Sequence, residues 1–136
     1  GNPFDRDTFQ GPRISENQFN SVMNYIDIDK NECATCYLGG NKVGDMGYFI
    51  ESTIFTDLHI VYDNRCHTGY AYIVKEEIFG PVVAISKFND ADNVIAQAND
   101  ITYGLAAAVH TSNITHAITI SNALEAGSVL IINMHL

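Results

Sequence analysis

The chain is expected to fold as α/β, with a mostly parallel sheet and flanking helices. Two observations predict this. Along the second half, strand-type and helix-type segments alternate in the order strand, helix, strand, helix, strand, and helical crossovers are what return a chain to pair in the same direction. The late strand-type segments, residues 105–109 and 128–132, are near-continuous apolar runs, the pattern of strands covered on both faces. Composition agrees: the 136 residues are 46 % hydrophobic and 17 % charged, with 7 Phe, 7 Tyr and no Trp, enough apolar mass to offset the entropy of ordering one compact domain.

The elements follow in order. At Ser15-Glu16-Asn17-Gln18 a serine stands three residues ahead of a glutamine, the spacing in which each side chain reaches the other's free backbone N–H at a helix start. Phe19, Val22, Met23 and Ile26 then recur at offsets of three and four and share one face. That pattern dissolves around Asp29-Lys30-Asn31. Residues 35–38 read as a short strand entering the Gly39-Gly40-Asn41 turn, and residues 48–55, mixing aromatic, β-branched and small polar side chains, as a second strand. Residues 58–72 fit no element. They set Tyr62, Tyr70 and Tyr72 beside Asp63, Asn64, Arg65, His67 and Gly69, as a long exposed loop would.

The next strand is expected at 82–88, its leader kept out of a central ladder by Pro81, which brings no N–H. Asp90 or Asp92 can cap a helix carrying Val94, Ile95 and Ala98 on one side and ending near Asn99-Asp100. Gly104 opens the apolar run 105–109, short enough to be a buried strand. Ser112 or Asn113 can cap a further helix through Ile114, Ala117, Ile118 and Leu124. Gly127 stands where a helix often ends on a left-handed residue, and residues 128–132 resume as strand.

Charge and content exclude several classes. Seven Lys+Arg against 16 Asp+Glu give a net charge of -9 with His neutral, a surface that repels phosphate backbones and anionic lipid, so no nucleic-acid or membrane partner is expected. No apolar run approaches the roughly 18 residues of a spanning helix. Gly1-Asn2-Pro3-Phe4-Asp5 lacks the basic start of a signal peptide, and with no initiator Met the chain is expected to be an excerpt of a longer protein. Three sparse cysteines suit a reducing compartment, so an intracellular location, cytoplasmic or mitochondrial, is expected.

Several strings carry more. Lys75-Glu76-Glu77-Ile78-Phe79-Gly80-Pro81-Val82 resembles the Glu-Glu-Ile-Phe-Gly-Pro signature of the NAD(P)-dependent aldehyde dehydrogenase superfamily. Gln10-Gly11-Pro12-Arg13-Ile14-Ser15, Asn99-Asp100-Ile101-Thr102-Tyr103-Gly104-Leu105-Ala106-Ala107 and Ala126-Gly127-Ser128-Val129 are similar to further family strings in order and approximate spacing, and together they span nearly the whole chain.

The resemblance implies a protein several times longer, of which residues 1–136 form part of the catalytic domain beyond the nucleophile, with a loop insertion near 58–72. In the family a cysteine thiolate attacks the aldehyde, hydride passes to the nicotinamide of NAD or NADP, and a glutamate-activated water releases the acid. The nucleophile belongs to a Gly-Gln-x-Cys type string and the base to a Glu-Leu-Gly-Gly type string, and neither occurs here. No catalytic residue is therefore expected in this segment, and the isolated chain is expected to be inactive. The cofactor-binding residues implied are Glu77, whose carboxylate accepts from the nicotinamide ribose hydroxyls, and Phe79, which packs near the same end of the cofactor. Binding of NAD or NADP by this chain alone is not expected, because one ribose contact does not offset the cost of association. The partners implied are an aldehyde substrate and, in the complete protein, further copies in a homodimer or homotetramer. The alternative is a non-enzymatic, truncated module that docks onto another polypeptide through apolar edges at 105–109 and 129–132.

The sequence departs from the family pattern in three places. Residues 57–76 hold about nine more residues than the family's short acidic loop, as either a surface insertion or non-coding sequence read into the gene. Leu130 stands where Trp is common, with Ile131-Ile132 one residue long before Asn133, a shift that would turn later strand side chains to the opposite face. Ser52 stands where Pro is usual.

Other signals are weaker. Cys33-Ala34-Thr35-Cys36, with Cys66-His67, has the spacing of half a zinc or redox site but lacks a second paired knuckle, so no metal ligand is expected. Gly39 to Gly47 lacks the Lys-Ser/Thr and following helix of a phosphate loop and reads as a hairpin-like connection. His59, His67, His110, His116 and His135 follow no converging spacing, and Asp90 and Asp92 are explained by helix capping.

Overall fold

The computed structural model describes residues 1–2, 4–32, 34–56, 58 and 72–132. Most of the loop expected near 58–72 lies outside the described residues, as do Cys33, Cys66, His59, His67 and His135. The chain divides into two compact units, Gly1–Ser86 and Lys87–Leu136.

In the first unit, helix α1 (Glu16–Glu32) starts where the Ser15 hydroxyl accepts the Gln18 N–H at 3.2 Å. Its apolar face buries Val22 and Ile26 completely. The helix does not stop at Asp29, where the apolar period fades. Asp29 is itself fully buried, and its Oδ1 accepts the Ile73 N–H at 3.4 Å from helix α2 (Tyr72–Lys75). A carboxylate that takes a backbone donor keeps the last turn on the core, where hydrophobicity alone would have released it. Lys30 Nζ donates to the Gly40 carbonyl from the same turn.

Strand β1 (Thr35–Leu38) pairs antiparallel with β2 (Thr53–Thr56), Cys36 opposite Phe55, with a register shift between Cys36 and Leu38. Strand β2 pairs parallel with β3 (Val82–Ala84), Thr53 opposite Val82 and Phe55 opposite Ala84, so the sheet order is β1-β2-β3. Phe55, fully buried, joins Val22, Ile26, Ile50 and Ile73 in the core of this unit.

Two strands are shorter than expected. Residues 48–51 are not part of β2. They fold back on the preceding segment as a hairpin-like connection: Lys42 bridges Ile50, and Val43 N–H reaches Phe49 O at 3.0 Å, as Glu51 N–H does Asn41 O. Strand β3 stops at Ala84, not Phe88, because its only described ladder partner ends at Thr56; Ile85 N–H makes the last bond, 3.0 Å to Phe55 O.

The second unit holds helix α3 (Ala91–Asn99), strand β4 (Ala106–His110), helix α4 (Ile114–Ala123) and strand β5 (Ser128–Ile132). Asp90 caps α3, its Oδ1 accepting the Asn93 N–H at 2.8 Å. Asn113 caps α4 by accepting from the Thr115 and His116 amides at 2.9 and 3.2 Å. Strands β4 and β5 run parallel in unbroken register from Ala106 opposite Ser128 to His110 opposite Ile132, so Leu130, Ile131 and Ile132 continue the ladder without a bulge. The left-handed glycine is not Gly127. Helix α4 ends earlier, at Leu124 in extended geometry, and Gly104 takes φ +60 where a Cβ would lie 2.6 Å from the Glu125 carbonyl. Gly127 N–H closes that junction on Gly104 O at 2.9 Å.

Burial along β4 is partial in this segment. Val109 is buried, but Leu105 is 80 % exposed and Leu130 of β5 is 60 % exposed. Among the described residues of this unit β4 has one ladder neighbour, β5, and α4 packs on the pair. Among the described residues, no helix is long and apolar enough to cross a membrane.

Candidate functional site at the turn before β3

Residues 76–81 connect α2 to β3 in the first unit. Ile78 is half-buried against the core formed around Val22 and Phe55, while Glu77 and Phe79 on either side of it are exposed, Phe79 by 73 %. Phe79 has φ +54, the left-handed region that bulky residues rarely adopt and that costs on the order of 1–3 kcal/mol.

Several contacts hold the turn in that form. Gln18 Nε2, reaching from the first turn of α1, donates to the Phe79 carbonyl at 2.8 Å. Gly80 lies against Val22 so closely that a Cβ would stand 2.7 and 2.8 Å from its two methyls. Pro81 O accepts the Thr53 N–H at 2.8 Å, and Val82 N–H reaches back to Gly80 O at 2.8 Å, closing a three-residue turn about Pro81.

The exposed pair has definite chemical capacities. An ionised glutamate accepts through two oxygens and can meet a vicinal diol at both, with bonds stronger than those of neutral acceptors. An exposed phenyl ring offers an apolar face to a planar group. The glycine-rich stretch 39–47 folds as the hairpin-like connection described above.

The remaining sequence candidates are dispersed. The Cys36 thiol is half-buried and directed at the Leu38 and Gly39 carbonyls, 3.7 and 3.6 Å away. His110 and His116 are exposed in the second unit, where they border an apolar groove of about 510 Å³ lined by Phe88, Val94, Val109 and Leu124. Among the described residues no three His, Cys, Asp or Glu side chains converge as metal ligands. Gln18 was legible only as a cap residue. Its reach to Phe79, 61 positions on, leaves no local signal.

The fold is that of a segment of an α/β, mostly parallel catalytic domain. The aldehyde dehydrogenase family profile matches residues 1–135. The aldehyde dehydrogenase of Emericella nidulans is 49 % identical over 136 residues, all of this chain and 26 % of that protein. That of Alternaria alternata is 53 % identical over 129 residues, 95 % of this chain and 24 % of that protein. Betaine aldehyde dehydrogenase from Staphylococcus aureus in complex with NAD+ superposes with a TM-score of 0.82 at 38 % identity, over 98 % of this chain and 25 % of that one. The NAD+ complex of the Bacillus cereus aldehyde dehydrogenase gives 0.79 at 42 %, over 97 % of this chain and 25 % of that one. This chain belongs to the aldehyde dehydrogenase family, and it spans about a quarter of the length of the relatives it matches.

Proposed function

We propose that the chain is a portion of an aldehyde dehydrogenase that oxidises aldehydes to carboxylic acids with NAD or NADP, and that it supplies a contact to the nicotinamide end of the cofactor. The observation that carries this is the outward pair Glu77 and Phe79 on a turn fastened to α1 and β2. Glu77 accepts from the nicotinamide ribose hydroxyls, and Phe79 packs against the same end. The cofactor, when bound, supplies the hydride acceptor. The role of this chain is to bind and orient it, since the sequence holds neither the nucleophilic cysteine string nor the base glutamate string of the family.

The isolated chain is therefore inactive. Purified and mixed with aldehyde and NAD, it forms no NADH; turnover that Glu77→Gln abolishes would overturn this. In the complete dehydrogenase, Glu77→Gln replaces charged acceptor bonds worth about 1.5–3 kcal/mol, so KM for NAD rises about ten- to hundredfold. An unchanged KM would remove Glu77 from the cofactor site.

A second reading is a truncated, non-enzymatic module that docks onto another polypeptide. The exposure of Leu105 (80 %), Leu130 (60 %) and Ile131 (49 %) favours it. Light scattering after size exclusion tests it, and a monodisperse monomer at high concentration counts against any need for a partner.

A further inference from the structure

We infer that Lys30 and Cys36 form a reversible oxidative modification site: a hydroperoxide converts the Cys36 thiol to a sulfenic acid, and the Lys30 amine captures that sulfur in an S–N bond. The two groups meet over Gly40. An ideal Cβ placed on Gly40 would stand 2.8 Å from Lys30 Nζ and 3.1 Å from Cys36 Sγ, so the amine and the thiol border one point that a side chain at position 40 would fill. Gly40 is buried with φ +85, a conformation that glycine adopts without steric cost.

The fold brings each group there separately. Burial of Asp29 keeps the last turn of α1 on the core, and Lys30, the next residue, reaches the Gly40 carbonyl from that turn. On the other side β1 shifts register between Cys36 and Leu38, and Gly39 and Gly40, both left-handed, turn the chain back to the Cys36 side chain. Cys36 is half-buried and Lys30 exposed, so a small oxidant has access to the sulfur, and the flexible lysine stem can swing its amine to the same atom.

The chemistry balances in two steps. The sulfur attacks one peroxide oxygen and the O–O bond breaks. The hydroxyl stays on sulfur, and the other oxygen leaves as water or an alcohol with the thiol proton; the sulfur gives up an electron pair and the peroxide takes it. The neutral amine then attacks the sulfur, the S–O bond breaks, and the hydroxyl departs as water with an amine proton, without further redox change. The S–N bond holds the sulfur short of the irreversible sulfinic acid. A dithiol reductant reopens it, becoming a disulfide as the thiol and amine are released.

The test treats the complete dehydrogenase carrying this segment with hydrogen peroxide in mildly alkaline buffer, alkylates the remaining free thiols and digests with trypsin. Between Arg13 and Lys42 the only trypsin site is Lys30, so the bridge is read by mass spectrometry as loss of that cut. Peptide 14–42 stays whole with Cys36 unalkylated, fragmentation locates the link between Lys30 and Cys36, and dithiothreitol restores the cut. Lys30→Arg keeps a cation for the Gly40 carbonyl and removes the nucleophilic amine; its Cys36 goes on to sulfinic and sulfonic acids that dithiothreitol does not reverse. A Cys33–Cys36 disulfide with the cut after Lys30 intact overturns the proposal, as does any other fate of Cys36 in the unsubstituted protein. An arginine variant whose Cys36 is recovered as fully as the parent's overturns the capture by Lys30. If that variant does not fold, the peptide map of the unsubstituted protein decides alone.

Discussion

Alanine at position 80 would put a Cβ 2.7 and 2.8 Å from the two methyls of Val22, where ordinary contact is 3.4–4 Å. The φ of Gly80 lies outside the left-handed region, so the penalty is contact and not backbone conformation. Neither side can yield easily. Val22 is fully buried in the core, and the turn is held on one flank by Gln18 at Phe79 and on the other by Thr53 at Pro81. Overpacking of this kind costs about 1–3 kcal/mol, and with both methyls struck we place Gly80→Ala near 2–3 kcal/mol. Val22→Ala removes the obstruction at its own cost of about 2 kcal/mol, from two buried methyls at roughly 0.8 each plus a small cavity. The double variant should then be less destabilised than the sum by about 1–2 kcal/mol. Urea denaturation of the two singles and the double, at constant m-value, measures this. A Gly80→Ala cost below about 0.5 kcal/mol, or additivity within about 0.5 kcal/mol, would show that α1 does not clamp the turn as described.

The helix caps give a second set of outcomes: Asp90→Ala and Asn113→Ala each cost about 1 kcal/mol by chemical denaturation, with Asn113 the larger because it accepts from two amides and Asp90 from one. At the α4–β5 junction, Gly104→Ala should destabilise by more than Gly127→Ala in thermal unfolding. The first adds left-handed strain to a Cβ 2.6 Å from the Glu125 carbonyl, whereas the second meets Leu105 O at 3.2 Å with no positive φ.

Local chemistry was readable where a residue acts on its near neighbours. Ser15, Asp90 and Asn113 bond amides two or three positions on, so their residue types and spacing announced three helix starts. The errors fell where the deciding partner is distant. Asp29 keeps α1 going because Ile73, 44 residues later, presents an N–H to it. The strand-like residues 48–51 turned to Lys42 and Val43 and not to the sheet. Gly127 looked like a helix terminator, yet Gly104 took the left-handed position, a choice made by the close approach of the Glu125 carbonyl.

The candidate site divides in the same way. The string Glu77-Ile78-Phe79-Gly80-Pro81 and the family it belongs to could be read from the residues, because they are consecutive and chemically specific. The sequence by itself therefore determined the alternation of helix and strand, the caps and the family. Tertiary structure alone decided that Ile78 turns inward while Glu77 and Phe79 stay exposed, and that Gln18 and Val22 hold the next two backbone units. The physical reason is that periodicity and capping act over three or four residues, whereas a left-handed phenylalanine and the glycine after it are held by contacts that the fold brings from 61 and 58 positions away.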